Sequence, residues 1–122
     1  MENSKLSIRP ILKIPSSNID ERFQNETLRP ILKLQHSLLI KVYYIANQKQ
    51  KIFIKTLTKD SFQEYVNKSL SKDISLRNQV IGLIIGMFTD EEFEVYQHKK
   101  SEFNKRIINM VKKRLIDNIK NL

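Results

Sequence analysis

Residues 74–88 read ISLRNQVIGLIIGMF and form the most apolar stretch of the chain. At helical spacing, apolar side chains cover all of this segment except a narrow strip of Gln79, Gly82 and Gly86. A helix that is apolar almost all round is buried by its neighbours, so we predict a central helix here, capped by Asp73. The paired glycines predict a neighbouring helix packed closely against the strip. The apolar positions are Ile74, Leu76, Val80, Ile81, Leu83, Ile84, Ile85, Met87 and Phe88.

The four residues after this segment, Thr89-Asp90-Glu91-Glu92, have the spacing of a capping box. Three acids at the positive end of a helix dipole strengthen the signal. We therefore predict that one long final helix starts here and continues to the end of the chain. Its apolar stripe consists of Phe93, Tyr96, Phe103, Ile107, Met110, Val111, Leu115, Ile119 and Leu122.

The residues before the central segment predict two more helices. Helical spacing of apolar residues runs from Ile19 to about Asn47, with Ser17 and Asp20 as a possible capping box. Pro30 predicts either a kink or a restart capped by Thr27. Residues 51–58 alternate bulky and polar side chains and favour a lone strand or an extended loop. Residues 58–70 favour a short helix, capped at Thr58 or Asp60.

These elements predict an all-α fold, a single-domain helical bundle of about four helices with an irregular N-terminal arm. The chain has 122 residues, which fits one domain. We place the arm at residues 1–18, where Pro10 and Pro15 limit any helix to about a turn. The bundle domain then covers residues 19–122, with the central helix between the first and last long helices.

An eight-residue sequence occurs twice in the N-terminal quarter. SIRPILKI at residues 7–14 returns as TLRPILKL at residues 27–34. The second copy suits a helix that starts or kinks at Pro30 and then continues. The first copy is cut short by Pro15, so we predict that it packs as an arm, on the groove that accepts the second copy's apolar face or on another subunit.

Composition excludes several classes of protein. The chain has no cysteine, which excludes a disulfide framework and a thiolate metal site and suits a reducing compartment. No apolar run is long enough for a membrane span, and we see no export signal. We therefore expect a cytoplasmic protein with no membrane partner.

Positive charge is concentrated at the C-terminus. The chain carries 22 Lys and Arg against 13 acids, and residues 99–122 carry eight against two. On the predicted helix, most of these bases lie opposite the apolar stripe, which is typical of contact with a polyanion such as nucleic acid. A solvated helix face is the commoner origin of such a charge run, and the lysine-rich composition that an AT-rich genome produces would also give it. The candidate polyanion-binding residues are Lys99, Lys100, Lys105, Arg106, Lys112, Lys113 and Lys120.

Nothing in the sequence has the pattern of a catalytic or cofactor site. His36 and His98 are the only histidines, and neither has a second metal ligand at helical spacing. No phosphate-binding glycine fingerprint occurs. Acids in a first helical turn, such as Glu91 and Glu92, are explained by the helix dipole. We assign no catalytic, cofactor-binding or metal residue and expect no enzyme activity.

The sequence is similar to a family of small, uncharacterised, all-helical bacterial proteins, sometimes labelled glyoxalase. The likeness covers residues 20–120 and is carried by NETLRPILKLQ at 25–35, RNQ at 77–79, IIGMFT at 84–89 and NKR at 104–106. That label implies a metal-dependent lyase acting on thiol adducts of 2-oxoaldehydes. Glyoxalases resemble paired βαβββ modules with His and Glu metal ligands, a pattern that two histidines and one short predicted strand do not match.

These observations favour a binding or interaction module. The first hypothesis is weak, salt-sensitive association with nucleic acid through the C-terminal bases. The alternative is a homodimeric or accessory protein that pairs through apolar surface left exposed on the last helix, at Ile108 and Ile116. A glyoxalase-related protein is a second alternative, and it rests on the resemblance alone.

Overall fold

Every regular element in the described part of the chain is helical. The computed structural model describes residues 2–10 and 18–118, and these ranges contain no strand, which confirms the all-α prediction. There are more helical segments than the four we expected. They are α1 (Glu2–Ser7), α2 (Ile19–Phe23), a π-turn (Gln24–Leu28), α3 (Arg29–Leu34), α4 (His36–Ala46), a 3-10 turn (Gln48–Gln50), α5 (Lys51–Thr56), α6 (Lys59–Lys72), α7 (Ile74–Ile85), α8 (Asp90–His98) and α9 (Lys100–Asn118).

Polar side chains cap the starts of α2, α6, α7 and α8. Thr58 and Asp73 accept hydrogen bonds from backbone N–H groups three residues later, as predicted. Thr89 and Glu92 form the predicted capping box, with both reciprocal bonds present. Asn18 caps α2 and accepts from the Glu21 N–H at 2.7 Å. Ser17, the cap that we predicted for this helix, lies outside the described residues.

The π-turn accommodates Pro30 inside the first long helix. Proline has no N–H to donate to the carbonyl four residues earlier, and its ring crowds that carbonyl. In the turn, the Arg29 N–H instead reaches the Gln24 carbonyl, five residues back. The backbone stays helical through Thr27, so the predicted restart with Thr27 as cap is wrong. From Ile19 to Ala46 the chain leaves helical geometry only at Gln35.

Two predicted elements are wrong. Residues 51–56 form α5, because an isolated strand has no partner for its backbone groups, whereas a helix satisfies its own. The final helix is broken at Lys99, where φ is −135° and ψ is 45°. The break separates α8 from α9 and lets Tyr96 and Phe103 bury their rings 6.5 Å apart in the same core.

The central helix α7 packs against α4, α6 and α9, which confirms its predicted place between the first and last long helices. Leu76, Val80, Ile81 and Ile84 are buried in the core. The other side of α7 is open, so it is not enclosed all round. A Cβ atom at Gly82 would meet nothing within 4 Å, so the predicted close contact with a neighbouring helix is wrong.

Arg9 fastens the N-terminal arm to the start of α8. Its side chain is buried and donates to Glu92 Oε2 at 2.6 Å from Nη1 and to Glu92 Oε1 at 2.7 Å from Nη2. Nη2 also donates to the Met87 carbonyl, and Lys5 Nζ donates to the Phe88 carbonyl at 3.0 Å. Because Met87 and Phe88 lie between α7 and α8, the arm is tied to that turn. Part of the arm is regular, since residues 2–7 form α1.

The two octapeptide copies meet at Glu92. Arg9 belongs to the first copy, and Thr27 of the second copy donates from Oγ1 to Glu92 Oε2 at 3.0 Å. Ile8 is exposed, so the described part of the first copy docks through charge and not through the predicted apolar contact. Residues 11–14 of that copy lie outside the described residues.

No helix within residues 2–10 and 18–118 has both the length and the apolar character needed to cross a bilayer.

Candidate nucleic-acid interface

The apolar side of α9 anchors the helix to the core, and the cations of α9 lie outside that side. Phe103, Ile107, Val111 and Leu115 are buried, as the predicted stripe requires, and α9 packs through them on α6 and α7. Ile108 is also buried, so it cannot supply the leftover apolar surface that we predicted for dimerisation. The remaining positions of α9 are polar, apart from Met110 and Ile116, which are partly buried against the core.

The predicted cations are not all free on one surface of α9. Lys100, Lys105 and Lys113 are exposed to solvent. Glu102 is exposed on the same helix and interrupts the positive charge. Lys120 lies outside the described residues. The remaining candidates, on the flanks of the helix, are engaged with other elements of the fold.

On the side that faces the first long helix, two cations hold the structure together. Lys99 Nζ donates to Asp20 Oδ2 at 2.8 Å, and this hydrogen bond and the charge of Asp20 raise the pKa of Lys99. Arg106 Nη1 donates to Gln24 Oε1 at 3.0 Å. These contacts join the break before α9 to α2, and α9 itself to the π-turn. We therefore assign Lys99 and Arg106 a structural role before any role in binding.

On the side of α9 that faces α6, the two helices form an open groove of about 390 Å³. Its lining combines three lysines, three side-chain amides, one aliphatic residue and one acid. Ammonium groups attract phosphates, and amides can both donate to and accept from phosphates, sugars and base edges. The lining residues are Lys59, Gln63, Asn67, Asn109, Lys112, Lys113, Ile116 and Asp117.

The ammonium group of Lys112 lies near a like charge at this groove and has no carboxylate partner among the described residues. Its Nζ donates to Ser71 Oγ at 3.3 Å, and no described acid pairs with it. Burial and the nearby charge of Arg77 lower the pKa of Lys112. An anion bound beside Lys112 would offset both effects, because it would replace lost solvation and screen the like charge.

Sequence reasoning found Lys112 and Lys113 but missed the α6 half of the groove. Lys59, Gln63 and Asn67 recur every four residues and so share one face of α6. That spacing was the available signal. These three residues lie near α9 because of contacts between residues about 50 positions apart. Periodicity within one segment cannot predict such contacts.

Other polar candidates have structural partners. His36 Nδ1 lies 3.2 Å from Arg114 Nη1, and Glu92 belongs to the junction with the arm. Among the described residues, no three His, Asp or Glu side chains gather as a possible metal site. Arg77, Asn78 and Gln79, in the first half of α7, are half-buried or exposed.

Searches against models of protein families, curated proteins and solved structures find no match to this chain. The resemblance to a bacterial family with a glyoxalase label has no support from them. The fold and the groove therefore supply the arguments for function.

Proposed function

We propose that this protein is a small basic helical module that binds nucleic acid weakly through the groove between α6 and α9. The observation that carries the proposal is the grouping of Lys59, Lys112 and Lys113 around one open cleft, with Asp117 as the single acid in the lining. Nucleic acid is a polyanion whose phosphates and sugars are contacted by cations and amides on one surface of a protein.

The groove chemistry favours contacts with the backbone over contacts with bases. Its lining contains no aromatic side chain, so base stacking is not available within it. Backbone contacts of this kind give dissociation constants of about 10⁻⁴ to 10⁻⁶ M at physiological salt. For three phosphate contacts, the slope of log K against log salt should be about −2.7 with duplex DNA and about −2.1 with single strands.

The double substitution Lys59→Glu and Lys113→Glu tests the groove directly. Both side chains are exposed and have no hydrogen bond or ion pair to another described residue, so the fold should tolerate the change. Fluorescence anisotropy with short RNA and duplex DNA, over a series of salt concentrations, should show at least tenfold weaker binding. The salt slope should fall by about 2.

A charge-matched control separates the groove from net charge. Lys41→Glu with Lys49→Glu makes the same change in charge at exposed positions on α4 and on the 3-10 turn. This variant should keep most of the affinity. An equal loss of affinity in both variants would mean that net charge, and not the groove, sets the binding. Absence of binding by the wild type near physiological salt would overturn the proposal.

Self-association is the second candidate, and an exposed apolar stripe favours it. Leu34, Leu38 and Ile45 are exposed along the outer side of α3 and α4 at spacings of four and seven residues. These residues replace Ile108 and Ile116 as the basis of the dimer hypothesis. Static light scattering that gives the monomer mass over a wide concentration range would remove this candidate.

The glyoxalase-related alternative gains no argument from the described residues. It would need His and Glu ligands gathered at one place, and the histidine of α4, His36, is instead bonded to Arg114. We assign no catalytic residue on this basis.

A further inference from the structure

The short helix α5 exposes two large apolar side chains to solvent. Ile52 is 83% exposed and Phe53 is 52% exposed, and the two are neighbours on this six-residue helix. Ile54 and Leu57 are partly buried against the core, so α5 is attached through their side. Apolar side chains in water lack the free energy that burial would supply. The outer side of α5, which carries Ile52 and Phe53, is therefore a candidate contact surface.

Contacts with α6 hold α5 in a defined position. The rings of Phe53 and Tyr65 lie 6.3 Å apart between centroids. Tyr65 OH donates to Asn47 Oδ1 at 2.8 Å, which ties the end of α4 to the same helix. At the end of α5, Thr56 Oγ1 donates to the Phe53 carbonyl at 2.6 Å. The exposed side chains are thus presented by a helix that the fold fixes.

The chain around α5 is strongly basic. Residues 27–59 contain seven Lys and Arg and no Asp or Glu. Lys49, just before α5, and Lys55, within it, are exposed, and neither has an ion pair to another described residue. The groove of about 230 Å³ between α5 and α6 has one acid, Glu64, and one lysine, Lys68, in its described lining. The apolar side chains of α5 therefore lie in a region of net positive charge.

Apolar exposure and positive charge together favour one class of partner. Nucleic acid attracts lysines, but it gives an aliphatic side chain such as Ile52 no apolar environment along its phosphates. A second copy of the chain would bring like charges against each other, which opposes pairing. The surface of an anionic bilayer meets both features, because its headgroups attract lysines and its acyl boundary buries apolar side chains.

We propose that the outer side of α5 docks onto the surface of a bilayer that contains anionic lipid. Ile52 and Phe53 enter the boundary between headgroups and acyl chains, and Lys49 and Lys55 contact the lipid phosphates. Our prediction of no membrane partner rests on the length needed to span a bilayer, which does not bear on binding at its surface. The proposal shares no residue with the groove between α6 and α9 and does not depend on it.

The substitution Phe53→Trp gives the most direct test, because the chain has no other tryptophan. The full-length variant is titrated with vesicles of phosphatidylcholine, with and without phosphatidylglycerol. Tryptophan emission should shift to shorter wavelength only with the anionic vesicles, and lipids brominated on their acyl chains should quench it. Absence of binding to anionic vesicles, or binding with neither shift nor quenching, would refute the proposal.

Two further variants separate the apolar and the charged contributions. Ile52→Ser should weaken co-sedimentation with anionic vesicles about tenfold, since it removes an apolar side chain that the bilayer buries. Lys49→Glu with Lys55→Glu should weaken it at least tenfold, because each lysine near an anionic surface contributes about fivefold. All three side chains are exposed, so the fold should tolerate both changes.

Matched controls place the effect on α5. Ile74→Ser removes an isoleucine that is 69% exposed at the start of α7, about 20 Å away along the 14 residues of α6. Lys105→Glu with Lys113→Glu makes the same charge change at exposed positions on α9. Both controls should keep most of the affinity, and equal weakening by a control and its counterpart would contradict the assignment to α5. Light scattering that shows a dimer in the wild type and a monomer in Ile52→Ser would assign this surface to a second copy instead.

Discussion

Replacing Glu92 by alanine should lower the free energy of unfolding by about 2–4 kcal/mol at pH 7. The carboxylate completes the capping box by accepting from the Thr89 N–H at 2.9 Å. It also accepts from Thr27 and holds both terminal nitrogens of Arg9. The substitution therefore removes part of a helix cap and leaves the buried guanidinium group of Arg9 without its carboxylate. The arm would have to detach from α8 to return that charge to solvent.

Urea denaturation of four variants measures this junction. Arg9→Ala should cost less than Glu92→Ala, because Glu92 keeps its bonds to Thr89 and Thr27. The double variant should cost less than the sum of the two single changes, which isolates the coupling between the side chains. Glu92→Gln keeps the shape of the side chain and serves as the fourth variant. A loss below about 0.5 kcal/mol in Glu92→Ala would contradict the described contacts.

The same contacts predict a pH dependence. Burial by itself would raise the pKa of Glu92, but the hydrogen bonds from Arg9, Thr89 and Thr27 and the charge of Arg9 outweigh it, so the pKa is lowered. A lowered folded-state pKa contributes stability that is complete above the ordinary value of 4.5 and is lost as the pH falls through the folded value. The stability difference between the wild type and Glu92→Gln should therefore shrink below about pH 4.5.

Replacing Phe103 by alanine should lower the free energy of unfolding by about 3–5 kcal/mol, the cost of removing a buried phenyl ring. Its ring lies 4.6 Å from Phe23 and 6.5 Å from Tyr96, measured between centroids. Phe23 and Tyr96 each also pack against Phe88 at 5.6 Å. The ring thus joins α2, α8 and α9 around one aromatic cluster, and the substitution leaves a cavity at their junction.

Phe93→Ala is the control for this second prediction. Phe93 packs on Tyr96 at 5.8 Å but is 40% exposed, so its loss should cost about 1 kcal/mol. Thermal and urea unfolding of both variants would give the comparison. Similar losses in Phe93→Ala and Phe103→Ala would mean that burial does not set the cost at this cluster.

Local signals in the sequence predicted the parts of the fold that depend on local physics. The capping box at Thr89 and Glu92 is a relation between residues three apart, and it is present as predicted. The buried side chains of α7 and α9 follow from helical periodicity. The helix at 51–56 was missed because a short alternation of bulky and polar residues, here 51–58, does not distinguish a strand from a short helix.

Relations between distant residues could not be predicted in the same way. The sequence shows that Arg9 is repeated as Arg29, but not that Arg9 meets Glu92. Glycine spacing predicted a close neighbour for Gly82, whereas contact with a neighbour is set by the tertiary arrangement. For the candidate site, charge counting identified the lysines of α9, and the lysine of α6 entered only with the fold.

The junction between the arm and α8 also has a consequence for the order of folding. Arg9 and Glu92 are 83 positions apart, so their pairing closes a loop that spans most of the chain, at an entropic cost that grows with loop length. The start of α8 and the turn before it must already exist to offer Glu92 and the Met87 carbonyl. We therefore expect the arm to dock after the rate-limiting step, so that it slows unfolding and leaves the folding rate nearly unchanged.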